Sequence, residues 1–181
     1  FGYIQAQNPD PNCNTSRYLT NTFASAKVTQ GQSYGSNITY AGINKQLFMD
    51  VYEPEGDVLD ERPLIVLAFS GSFINGNRAD LADLCTAYAR RGFVAASIDY
   101  RLYDGPLLPP PSAATMTDVA IKGMGDMKAA IRFFKEDAAT SNLYHIDTNH
   151  VFVGGISSGA ILADAVAYLD ESDKRNAMTN D

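Results

Sequence analysis

Positive charge is scarce in this 181-residue chain, with 14 Lys and Arg against 21 Asp and Glu and a net charge of −7 at pH 7. Non-specific binding to nucleic acid or to anionic membranes needs a positive surface field, and no Lys/Arg cluster exceeds a pair, so the composition argues against both. No apolar run approaches the roughly 20 residues that a membrane-spanning helix needs. Cysteine is rarer still. Cys13 and Cys85 are the only two, with no C-x-x-C spacing. His, Cys and carboxylate residues are too scattered to form a metal-binding motif, so no metal and no cofactor is expected. Histidine occurs twice, at His145 and His150.

What remains is the composition of a globular protein, 45% apolar and 19% charged, with enough length for one domain with a real core. Residues 1–7 (Phe1-Gly2-Tyr3-Ile4-Gln5-Ala6-Gln7) read in two ways. They match the tail of a signal peptide with an A-x-A-like site at Ile4-Gln5-Ala6, or they are a native apolar arm. The first reading makes the protein secreted or periplasmic. In such an oxidising compartment Cys13 and Cys85 would form a disulfide tying the arm to the body; otherwise Cys85 serves as a small buried apolar residue.

Residues 8–44 form an N-terminal arm and first strand region, rich in Asn, Thr, Ser and Gly, with weak strand character near Lys27–Tyr34. Residues 45–181 carry a regular alternation. Gln46–Tyr52 reads as a strand, followed by a turn at Glu53-Pro54-Glu55-Gly56-Asp57. Leu64-Ile65-Val66-Leu67-Ala68-Phe69 is a continuous apolar run, the mark of a strand buried on both faces. A helix from about Asp80 to Arg91 follows, ended by Gly92. The second run is Phe93–Tyr100. A loop with Pro109-Pro110-Pro111 leads into a helix from about Thr117 to Ala139, striped by Met124, Met127, Ile131 and Phe134. Val151-Phe152-Val153 is the third run, and Ser158–Asp170 the third helix, expected to bury Ile161, Ala165 and Leu169. Buried strands alternating with amphipathic helices predict a doubly wound, mostly parallel α/β sheet.

Directly after the third run stands Gly155-Ile156-Ser157-Ser158-Gly159, a G-x-S-x-G sequence. A nucleophilic serine on a tight strand-to-helix turn needs glycine two residues before and after it, because a side chain there would strike neighbouring backbone. The helix behind Ser157 aims its free N–H groups at a developing oxyanion. A Gly/Ser turn that binds phosphate would call for a Walker lysine at the helix start, which is missing, and a dinucleotide fingerprint belongs at the first strand. The small-residue loop Phe69-Ser70-Gly71-Ser72-Phe73-Ile74-Asn75-Gly76 stands where the second oxyanion N–H would arise, from Gly71 or Ser72, with Ser158 supplying the first.

Several segments together resemble bacterial α/β-hydrolase carboxylesterases related to the hormone-sensitive-lipase and feruloyl-esterase groups. They are Asp50-Val51-Tyr52-Glu53-Pro54, the loop at 69–76, Arg91-Gly92-Phe93-Val94, Asp99-Tyr100-Arg101-Leu102, Lys128–Phe134 and Val151–Ala160, in that order from about Lys45 to Leu169. The resemblance implies an α/β-hydrolase fold and ester hydrolysis by a Ser-His-Asp/Glu triad without a cofactor. Ser70 stands where the family usually has His, and Ser72 where a second Gly is common.

The triad order in this fold is Ser, acid, His. Both histidines precede Ser157, and His150 lies seven residues upstream along a strand, roughly 20 Å away. The expectation is therefore that 45–181 is the N-terminal portion of a hydrolase domain, with its C-terminal strands, triad acid and histidine beyond this chain, and that 181 residues alone are not a self-sufficient enzyme. The expected substrate is a small-molecule or polysaccharide-linked ester, and the loop Asp104–Thr115 is a candidate pocket wall. The alternatives are a non-catalytic α/β-hydrolase scaffold used for binding, and a split or proteolysed hydrolase whose C-terminal segment is a separate chain.

Overall fold

The computed structural model describes residues 17–169. Strands β1 (Ala26–Ile38), β2 (Asn44–Pro54) and β3 (Arg62–Ala68) come first; a 3₁₀ turn at Arg78–Leu81 then leads into helix α1 (Ala82–Ala89). Strand β4 (Val94–Ile98), helix α2 (Ala113–Ala139), strand β5 (Ile146–Gly155) and helix α3 (Ser158–Tyr168) complete the order.

The five strands form one sheet in the order β1-β2-β4-β3-β5. β3 pairs in parallel with β4 on one side and β5 on the other. Its apolar run sits there for that reason: every residue from Leu64 to Phe69 is buried. At roughly 1.5–3 kcal/mol for each large aliphatic side chain, this strand is a main source of stability. β4 is buried along its whole length. β2 joins β4 antiparallel, and β1 joins β2 antiparallel. The sheet is therefore mixed, parallel across β4-β3-β5 and antiparallel across β1-β2-β4.

From β3 the chain passes through α1 to β4 on one side, then through α2 back across β3 to β5. Right-handed crossovers in opposite directions place α1 and α2 on opposite faces of the sheet. α3 packs on α2 and on β5. The chains leaving β3 and β5 thus turn to opposite faces, the topology that in open α/β sheets sets a ligand crevice at the carboxyl ends of two such neighbours.

Several elements depart from the sequence expectation. β1 is 13 residues long, and two register shifts interrupt its pairing with β2. α2 starts at Ala113 rather than near Thr117, because Ser112 caps it by accepting from the Thr115 N–H at 3.1 Å. The region expected as one helix from Asp80 opens as a 3₁₀ turn capped by Asn77 and reaches only Ala89 as α-helix. α3 buries Leu162 and Ala163, while Ile161 and Leu169 are 56% and 45% exposed. The assignment of that face is corrected by one residue around the helix.

Before β1, Arg17 forms an ion pair with Asp57 and lies beside Gly92, whose φ of 97° suits the chain reversal after α1. The N–H groups of Thr22 and Phe23 donate to the Arg90 carbonyl at 2.8 and 2.9 Å, fixing this segment to the end of α1. Cys85 is fully buried on α1, where burial pushes its thiol up to about 12. Its expected partner Cys13, like the 1–7 segment, lies outside the described residues. Among the described residues no helix is long and apolar enough to cross a membrane, and no group of His, Cys, Asp and Glu could hold a metal.

Candidate active site

The turn between β5 and α3 is built around backbone contact. A side chain at Gly155 would place its Cβ 2.4 Å from the Gly159 carbonyl carbon and 2.7 Å from the Ala68 carbonyl oxygen. One at Gly159 would meet the Ala68 oxygen at 2.0 Å and the Phe69 oxygen at 2.6 Å. The two glycines bring the turn against the end of β3, and the Ile156 N–H donates to the Ala68 carbonyl at 3.2 Å.

Between these contacts Ser157 takes φ 53° and ψ −116°, a region that a non-glycine residue occupies only under strain of about 1–3 kcal/mol. Its carbonyl opens α3 by accepting from the Ala160 and Ile161 N–H groups at 2.9 and 3.1 Å. Its side chain makes no capping bond, and the residue is exposed. The hydroxyl thus stands at the positive end of a helix whose first N–H groups have no partner within the helix.

Alongside it, the loop after β3 holds three consecutive residues at positive φ: Gly71 at 129°, Ser72 at 54° and Phe73 at 62°. The Gly71 carbonyl accepts from the N–H groups of Ile74 and Asn75 at 2.9 and 3.2 Å, closing a tight turn. Only glycine fits at 71, since a Cβ there would lie 2.0 Å from the Asn75 carbonyl oxygen. The far end of the loop is fixed by Arg78, whose guanidinium reaches Asp50 at 2.7 Å and Asp99 at 2.6 Å, and whose carbonyl accepts from the Ser97 hydroxyl at 2.6 Å.

Sequence reasoning passed over the groups that hold this site from behind. Tyr100, fully buried, donates its hydroxyl to the Phe69 carbonyl at 2.9 Å and lies 3.2 Å from the Ser158 hydroxyl. Burial raises its phenol above the usual range despite the bond to Ser158, which keeps it a neutral donor. Next to it, Arg101 forms a buried pair with Asp126 of α2 at 2.8 Å, and donates to the carbonyls of Ile38 and Lys122 at 2.8 Å each. Burial raises the Asp126 carboxyl, and the neighbouring Arg101 only partly offsets this. The signal for these residues was the polar stretch Asp99-Tyr100-Arg101, which closes an otherwise apolar run.

The loop expected at 104–115 ends at Ser112, just before α2 begins, and its first residues tie it to the site. Tyr103 donates its N–H to the Phe73 carbonyl and its hydroxyl to the Pro106 carbonyl, both at 2.7 Å. The Ala41 N–H of the β1–β2 turn donates to Asp104 at 2.8 Å. The two histidines are elsewhere. His150 pairs with Asp147 at 2.5 Å, and Asp147 lies opposite Pro63 at the start of β3, whereas the elbow lies at its end. His145 precedes β5 and sits 3.7 Å from Asp60.

This sheet, with its sharp turn after β5 and its tight loop after β3, is that of an α/β-hydrolase. Solved structures of the thermophilic esterase 2 from the planctomycete Thermogutta terrifontis share it. The butyrate-bound form is 24% identical with a TM-score of 0.56, covering 87% of this chain and 51% of that one. The form phosphorylated by paraoxon is 22% identical with the same TM-score, covering 82% and 49%. The chain spans about half the length of these esterases. The BD-FAE family profile matches residues 49–181, and the chain belongs to that family. None of the curated proteins is a significant match.

Proposed function

We propose that the protein hydrolyses carboxylic esters through an acyl-enzyme on Ser157. The observation that carries this is Ser157 itself, an exposed serine held at φ 53° between two glycines that touch backbone. In the reaction, the Ser157 Oγ bonds to the ester carbonyl carbon and its proton passes to a base. The tetrahedral oxyanion accepts from the N–H of Ser158 and from that of Gly71 or Ser72. Collapse breaks the bond to the alkoxide, which takes up the proton, and water then releases the acid by the same route. The base is a histidine supplied from beyond these 181 residues, since His145 and His150 stand at the opposite end of the sheet.

Short or medium esters, or acyl groups on a polysaccharide, are the proposed substrates. The related esterase has been solved with butyrate and with propionate bound, which supports short acyl chains. Tyr103, tied to the Phe73 carbonyl, brings the loop 104–112 to the crevice as one wall. Export and a disulfide between Cys13 and Cys85 complete the proposal. The test is hydrolysis of p-nitrophenyl acetate by the full-length protein, which Ser157→Ala lowers at least 10³-fold. Undiminished hydrolysis in that variant would exclude Ser157 as the nucleophile.

A further inference from the structure

One buried phenol joins the two backbone segments that would bind the oxyanion. Tyr100 follows β4 and lies beneath the crevice, fully buried, its ring stacked on Phe69 with centroids 4.4 Å apart and planes 23° apart. Phe73 meets the same ring edge-on at 6.3 Å. On α2, Gly123 leaves the ring room: a Cβ there would come within 3.3 Å of the Tyr100 Cδ2.

The hydrogen count then fixes direction. A phenol has one proton. The Phe69 carbonyl, 2.9 Å away, can only accept, so the Tyr100 proton is committed to it. The Ser158 hydroxyl, 3.2 Å from the phenol oxygen and only 2% exposed, must donate in turn. The result is a relay of two bonds, from Ser158 through Tyr100 to Phe69.

Its ends matter more than its middle. Ser158 is the residue whose N–H would form one side of the oxyanion hole, and Phe69 begins the loop whose Gly71 or Ser72 would form the other. The Phe69 carbonyl is also one of the groups that a Gly159 side chain would strike, at 2.6 Å. It is therefore held between the nucleophile helix and the phenol.

We infer that Tyr100 is a positioning residue that sets the separation of the two oxyanion donors by tying the first residue of the nucleophile helix to the root of the loop after β3. The inference rests on the acyl-transfer reading above. Tyr100 touches no reacting atom. Its contribution appears where donor placement counts, in the transition state, and hardly in ground-state binding.

The experiment uses the full-length protein with Tyr100→Phe, which keeps the ring and its stacking, Ser158→Ala, which keeps the N–H, and the double variant. Steady-state hydrolysis of p-nitrophenyl acetate is measured beside inhibition by a trifluoromethyl ketone, whose adduct on the nucleophile carries an oxyanion, and beside Tm. Each single variant should lower kcat about tenfold or more with KM within about twofold, and weaken the ketone by the same factor as kcat. The double variant should lose little more than either single one, as expected for one relay. Unchanged kcat, or a loss that tracks Tm while ketone affinity stays constant, would overturn the positioning role. Should Tyr100→Phe fold poorly, Ser158→Ala alone decides through the same split between kcat and KM. A wild-type protein that neither hydrolyses the ester nor binds the ketone would instead overturn the acyl-transfer reading, and this inference with it.

Discussion

At Gly159 two effects of opposite sign compete, and their sizes decide the outcome. Replacing a helical glycine by alanine ordinarily gains about 1 kcal/mol. Here the new Cβ would lie 2.0 Å from the Ala68 carbonyl oxygen, backbone that cannot swing aside. Gly159→Ala should therefore destabilise by about 3 kcal/mol, a fall in Tm of roughly 6–12 °C, and should displace Ser157. Gly125, in the middle of α2, meets nothing nearer than the Arg101 guanidinium at 3.8 Å. Gly125→Ala should keep the ordinary gain. Thermal melts of the two variants side by side check both signs, and a stabilised Gly159→Ala would contradict the close approach. The need for glycine on both sides of the serine is steric, which is why the sequence pattern alone located this turn. Tyr100 stood in the polar stretch Asp99-Tyr100-Arg101, but its role was not legible there, because a tyrosine at the end of an apolar strand also reads as one more core residue.

At the scale of elements, Arg101 and Asp126 knit the exit of β4 to α2 and to the end of β1. Burial raises the Asp126 carboxyl from 3.8, and the attraction of Arg101 only partly offsets it. The folded protein then holds this proton more tightly than the unfolded chain does. The contribution of Asp126 is full below pH 3.8 and is lost as pH rises through the raised folded value. Asp126→Asn cannot titrate, so the difference between wild type and this variant isolates the pH dependence of Asp126. The stability gap between wild type and Asp126→Asn should therefore shrink from pH 3.5 to pH 6.5 in urea titrations. A gap that widens with pH would mean that Arg101 lowers the carboxyl instead.

Which elements could be read from the sequence follows from how each is buried. β3 and β4 are buried on both faces, so their unbroken apolar runs were sufficient. β1 draws on Thr, Gln, Ser and Asn, half-exposed at a sheet edge and interrupted by register shifts, and only Lys27–Tyr34 carried a weak strand signal, without its last four residues. In α3 apolar residues occur all round the helix, so periodicity could not choose between Ile161 and Leu162. The choice was made by Gly159, whose contact with β3 fixes the rotation of the helix and turns Leu162 inward. The early start of α2 was hidden by the prolines before it, although Ser112 supplies an ordinary cap.

Over the whole molecule, opposite crossovers set the loop after β3 and the turn after β5 side by side at the carboxyl end of the sheet. The hydrogen bonds of Tyr100 and Arg78 then hold that arrangement from beneath and from the far end of the loop. The same topology keeps His145 and His150 at the other end of the sheet from Ser157. Covalent capture tests most directly whether Ser157 is the nucleophile. Full-length protein is treated with a fluorophosphonate, digested, and the adduct is located by peptide mass. A single adduct on the peptide containing Ser157, missing from Ser157→Ala, is the predicted result. An adduct on a different serine, or labelling that persists in Ser157→Ala, would contradict it.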